Sequence, residues 1–211
     1  MKTINFLETL KEGTKIGLMN APSLILCFVL YFLTIWIPYI NIGTTIAISM
    51  LPVKLSAGEI INPLHIFESK YRRYIGEYIL LVSFIMMAIF TSMIFLLVPA
   101  IVIAVSWSLA IYYLIDRNKN PMEAIAASNK ATYGSKWAIC GVLLVIAIIF
   151  KIITMITDAI VSSLGDAMDA DKITIIVIQI LVQLVIVVLA YGPVMCGLNG
   201  SIWRQLKDNV E

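Results

Sequence analysis

From Tyr78 to Ile115 the chain runs for 38 residues without a charged side chain. A hydrocarbon core of about 30 Å takes roughly 20 helical residues, so this run is too long for one crossing and too apolar to sit in water. It has to fold back. Pro99, in "LLVPAIV", lies near its middle and lacks the amide proton that an unbroken helical ladder needs. The pattern predicts two crossings, at about 78–97 and 99–115, joined by a tight turn at Pro99.

Three further apolar runs, at about 20–57, 137–164 and 173–195, are separated from this one by charged stretches. Pro38 in "WIPYINIG" divides the first into crossings at about 20–37 and 40–57, and the others predict crossings at about 137–160 and 173–195. The chain is 61% hydrophobic and only 13% charged, with a mean hydropathy of +0.97. That balance excludes an ordinary soluble domain. The expected fold is an all-α polytopic membrane protein, 1–211 forming a single transmembrane domain of six crossings in three hairpins.

Orientation follows from the basic residues. With a cytoplasmic N-terminus, thirteen of the 15 Lys and Arg residues fall inside or at the inner interface. Lys172 is then outside and Lys151 within a crossing, the asymmetry that sets topology. Both termini are expected in the cytoplasm, as in a multi-pass protein of the bacterial cytoplasmic (inner) membrane. The first crossing carries no small-residue cleavage site and reads as uncleaved. Each hairpin is preceded by a charged amphipathic stretch, "FLETLKEGTKIG", "LHIFESKYRRYIGEY" and "MEAIAASNKATYGSKW", predicting interfacial helices repeated three times. Lys70, Arg72 and Arg73 form an interfacial basic cluster in the second, suited to solvent or anionic headgroups.

The block "LLVPAIVIAVSWSLAIYYLIDRNKNPMEAIAASNKATYG" resembles the YciC-like bacterial integral membrane proteins, and the membrane domain fused to some glycerophosphodiester phosphodiesterases. The family pattern is a Pro-Gly-Ile turn, a crossing with an acidic residue at its inner end, then an amphipathic helix closed by glycine. Pro99, Asp116, Ala124, Ile125, Ser128 and Gly134 stand at those positions; Ala100 replaces the glycine after the proline, and Tyr133 stands where a basic residue often precedes the closing glycine. The resemblance covers roughly residues 60–140. It implies six crossings and no activity, because the catalytic phosphodiesterase domain is absent.

The polar residues inside apolar runs are the remaining candidates. Lys151, Thr154, Asp158, Ser162 and Gly165 recur every three or four residues and make one stripe. Lys151 is fourteen residues beyond Trp137, about 21 Å up the helix. The preferred expectation is a stripe that meets outer headgroups and water; the alternative is a polar cleft or subunit contact. Gln179 and Gln183 stand one turn apart in "VIQILVQLV", where amides usually bond to a neighbouring helix. Ala100, Ala104 and Ser108 form a small-residue face expected to pack helix on helix. His65, the sole histidine, has no ligand-spaced partners. Cys27, Cys140 and Cys196 read as packing residues. The expectation is therefore no catalytic residue, no cofactor and no metal site, with no nucleic-acid partner either.

Two functional classes stay open. One is a non-enzymatic protein acting through protein or lipid interaction, as a scaffold, accessory subunit or membrane-organising protein; its partners would be membrane lipids, a second copy or another membrane protein. The other is a small transporter or channel whose polar path involves Lys151, Asp158, Gln179 and Gln183.

Overall fold

The computed structural model describes residues 2–210, which form helices and, among the described residues, no strand. Helices α1 (Phe6–Met19), α2 (Ala21–Thr34), α3 (Pro38–Ser49) and α4 (Leu51–Ser56) come first, followed by two 3-10 segments, Pro63–Phe67 and Ser69–Tyr74. Next are α5 (Ile75–Phe95), α6 (Leu97–Ser106), α7 (Ala110–Ile115), α8 (Pro121–Thr132) and α9 (Lys136–Ala167). Helix α10 (Lys172–Ile186) passes through a π turn, Val187–Tyr191, into α11 (Gly192–Leu206). Pro193 explains the π turn: it has no amide to offer the Leu189 carbonyl four residues back, so the ladder widens there.

Four helical stretches are long and apolar enough to cross a membrane: Pro63–Ile94, Leu97–Ile115, Lys136–Ala167 and Lys172–Leu206. Helices α1 and α2, bent by 70° at Asn20, make a fifth when counted as one broken span. The residues expected to hold the first two crossings are divided more finely than the sequence pattern implies. Helices α2 and α3 have 14 and 12 residues, about 21 and 18 Å at a helical rise, short of a ~30 Å core. Pro38 stands at the start of α3, after the break at 35–37. Pro52 opens α4 in the same way.

The expected turn at Pro99 lies elsewhere. Leu96 is the extended residue that separates α5 from α6, and Pro99 is the third residue of α6. In a first turn the amide has no intrahelical acceptor, so proline's missing donor costs little. A second interruption, at Trp107–Leu109, divides α6 from α7. Ser128 of α8 bridges it: its hydroxyl donates to the Ser106 carbonyl at 2.7 Å and accepts from the Leu109 amide at 3.1 Å. Helix α8 is itself fixed by a capping box in which Asn120 accepts from the Glu123 amide at 2.9 Å and Glu123 accepts from the Asn120 amide at 3.3 Å.

The body is built around α11, packed against α1 and α4. Gly197 permits the first contact, because a Cβ there would sit 2.1 Å from the Gly13 carbonyl oxygen. Beside this glycine contact Glu12 pairs with Arg204, Ser201 donates to Glu12 at 2.8 Å and Gln205 donates to Thr9 at 2.9 Å. Trp203 is buried edge-on against Tyr112 and Tyr113, with ring centroids 5.4 and 4.8 Å away. Two hairpins leave this body with their sides uncovered. In α5 and α6 the exposed residues include Met87, Phe90, Ile94 and Leu97, and α10 buries none of its residues. An apolar surface of this extent calls for lipid or a protein partner.

Candidate functional site

Helix α9 has 32 residues, about 48 Å at 1.5 Å per residue, so it outruns a ~30 Å core. Its first half packs into the body through Ile139, Val142 and Ile146. Its second half pairs with α10 through the stripe that the sequence marked. Nearest the turn, Gly165 makes the closest approach; a Cβ there would lie 2.5 Å from the Ile175 side chain. One turn deeper, Gln179 donates through Nε2 to the Ser162 hydroxyl at 2.9 Å and to the Asp158 carbonyl at 3.2 Å. One turn deeper again, Gln183 Nε2 donates to both Asp158 carboxylate oxygens, at 3.1 and 2.9 Å.

The turn closes on Asp171, the N-cap of α10, which accepts from the Ile173 and Thr174 amides and, at 2.5 Å, from the Thr174 hydroxyl. Those bonds, the hydroxyl foremost, hold the Asp171 carboxyl below the ordinary carboxylate range. Asp158 lies ten residues before Met168 at the turn, about 15 Å along the helix. Asp158 and Ser162 are half-buried against α10 and hydrogen-bonded to its amides.

Lys151 takes no part in the cluster. It is exposed, two turns toward the body from Asp158, beyond the reach of an i,i+4 pair. The four residues proposed for one polar site are therefore three that meet and one that stands apart. The small-residue face is divided as well. Ala100 is buried, whereas Ala104 and Ser108 are exposed. The break at Trp107 turns Ser108 off the helix face it would have continued, and Val105, Ser106, Leu109 and Ala110 are buried instead.

The basic cluster splits to two sides. Arg72 donates to the Phe67 carbonyl at 3.4 Å and lies over the Tyr39 ring, 5.9 Å from its centroid. Lys70 pairs with Glu68 at 2.6 Å and lies 5.1 Å from the Tyr71 ring centroid. Arg73 faces a pocket together with Lys54. His65 is buried, bonded through Nε2 to the Tyr71 hydroxyl at 2.6 Å. The three cysteines are free thiols, and among the described residues no group of three His, Cys, Asp or Glu side chains could hold a metal.

Reading α9 and α10 separately missed their mutual register. The signal was present: Asp158 and Ser162 are spaced by four, as are Gln179 and Gln183, and the two pairs are mirrored about the turn. Comparison with protein-family models, with curated proteins and with solved structures gives no match. The function must be argued from the geometry.

Proposed function

We propose that this chain is a non-enzymatic protein of the bacterial cytoplasmic membrane, crossing it six times with both termini inside, that acts by association in the bilayer. The α9/α10 hairpin is its docking element. One observation carries this reading: Asp158 sits on a two-helix hairpin with Gln183 as its one side-chain donor among the described residues, and α10 buries none of its residues.

Magnitudes support it. An aspartate at the bilayer centre costs about 2.5–3.5 kcal/mol on insertion scales, whereas an interhelical hydrogen bond in lipid returns about 0.6–2 kcal/mol. At the average of about 0.6 kcal/mol per bond the two contacts from Gln183 offset less than half of that cost, and a neighbouring transmembrane helix offering donors at that depth would offset the rest. A second copy presents the same uncovered α10 face and is the occupant we favour. A transport path through Asp158, Gln179 and Gln183 would need a wet cavity beside them. The 390 Å³ and 640 Å³ pockets are lined by other residues.

Counting copies per nanodisc by photobleaching tests the proposal. The wild type is expected to be oligomeric, and Asp158→Leu with Gln183→Leu to be monomeric. A monomeric wild type that co-purifies with one other membrane protein would transfer the docking role to that protein, and a monomer without partners would end this reading.

A further inference from the structure

A 390 Å³ pocket opens between α4, the second 3-10 segment and the end of α7. Helix α5 begins at Ile75 and α7 ends at Ile115, so the pocket lies at the level where two membrane-crossing stretches begin and end. Pockets for small ligands run from about 300 to 1,000 Å³, which makes this one the size of a headgroup rather than of a whole lipid.

Its lining carries both signs of charge. Lys54, Lys70 and Arg73 face it, and so do Glu59 and Asp116. Lys54 lies 3.7 Å from Glu59, Lys70 2.6 Å from Glu68 and Arg117 3.7 Å from Asp116; Arg73 belongs to none of these pairs. Met50, Val53 and Ile115 supply an apolar wall on which a glycerol backbone could lie. The lining thus holds one base outside its internal pairs, suited to a phosphate, and two carboxylates whose own cations stand at the long distance of 3.7 Å, suited to an added ammonium.

We propose that this pocket binds a phospholipid headgroup that carries a phosphate and a primary ammonium together, as in an ethanolamine phospholipid. Arg73 and Lys70 hold the phosphate through charge-assisted hydrogen bonds. Glu59 and Asp116 accept from the ammonium. A quaternary ammonium fits less well, since it has no N–H to donate and relies on aromatic faces. The face of Tyr71 is already occupied by Lys70. The site rests on the bilayer placement of α5 and α7 and is independent of what the α9/α10 hairpin binds.

Native mass spectrometry of the full chain in detergent, titrated with phosphatidylethanolamine, phosphatidylglycerol or soluble glycerophosphoethanolamine, tests it. The ethanolamine lipid is expected to bind about tenfold more tightly than the glycerol lipid. Arg73→Gln should weaken both by about tenfold. Glu59→Gln with Asp116→Asn should abolish the preference between them. Arg73, Glu59 and Asp116 are all exposed, so these variants should keep the parent melting temperature, and their copy number per nanodisc should not change. Equal affinity for the two lipids in the wild type, or a preference untouched by these substitutions, would overturn the proposal. Binding of the soluble headgroup as tightly as the lipid would overturn the lipid source and give the pocket to a free metabolite.

Discussion

Gln183 reaches from α10 to both carboxylate oxygens of Asp158, at 3.1 and 2.9 Å, and so ties the two helices of the hairpin together. Removing one partner should differ from removing both. Gln183→Leu leaves a half-buried carboxylate without its donor and is expected to cost about 1–2 kcal/mol. Asp158→Leu with Gln183→Leu should recover most of that loss. Melting of the two single variants and the double variant in detergent gives the coupling energy; additive effects would mean that the contact contributes nothing.

Lys151→Gln is expected to be close to neutral, within about 0.5 kcal/mol, because an exposed ammonium makes no bond that the amide would have to replace. A melting shift as large as that of Gln183→Leu would place Lys151 in a buried contact.

Ser128→Ala should cost about 1–3 kcal/mol, since it removes the acceptor of the Leu109 amide and one of the donors to the Ser106 carbonyl. Amide exchange is the sharper readout: residues 107–109 should exchange faster while α11 keeps its protection.

Gly197→Ala tests the tightest helix contact. Its Cβ would lie 2.1 Å from the Gly13 oxygen and 2.4 Å from the Gly17 nitrogen, both backbone atoms, so α1 and α11 would have to separate, at about 3 kcal/mol or more. Gly76→Ala is the control. Nothing lies within 4 Å of its Cβ position, and relief of backbone entropy in a helix should stabilise the chain by about 0.5–1 kcal/mol.

Topology can be read with an impermeant thiol reagent in intact cells, on a chain whose three native cysteines have been replaced. Cysteine at Met168 should label from outside and cysteine at Asn120 only after lysis. Protection of position 168 in intact cells would reject the six-crossing layout.

The apolar runs made the class of fold legible, because a bilayer imposes a length and a polarity that composition alone must meet. Breaks were less legible. Pro99 and Leu96 are three residues apart, and a proline fits a helix's first turn as well as it ends one, so the sequence marks a neighbourhood and the extended backbone at Leu96 marks the turn. The break at Trp107–Leu109 has no proline or glycine; it depends on Ser128, nineteen residues beyond Leu109. The polar site was half legible. Helical spacing grouped Asp158 with Ser162, but it grouped Lys151 with them too, and only the pairing of α9 with α10 decides where the shared face ends.

Helices α1 and α11 meet through bare backbone at Gly13, Gly17 and Gly197, and the Lys2 amide donates to Asn209 at 2.9 Å. The seam joins Gly13 to Gly197, so all the intervening hairpins lie between its two halves along the chain. Because the two halves of the seam lie at opposite ends of the sequence, its contacts close the whole body into one loop of chain, and loosening α11 would free α1 as well.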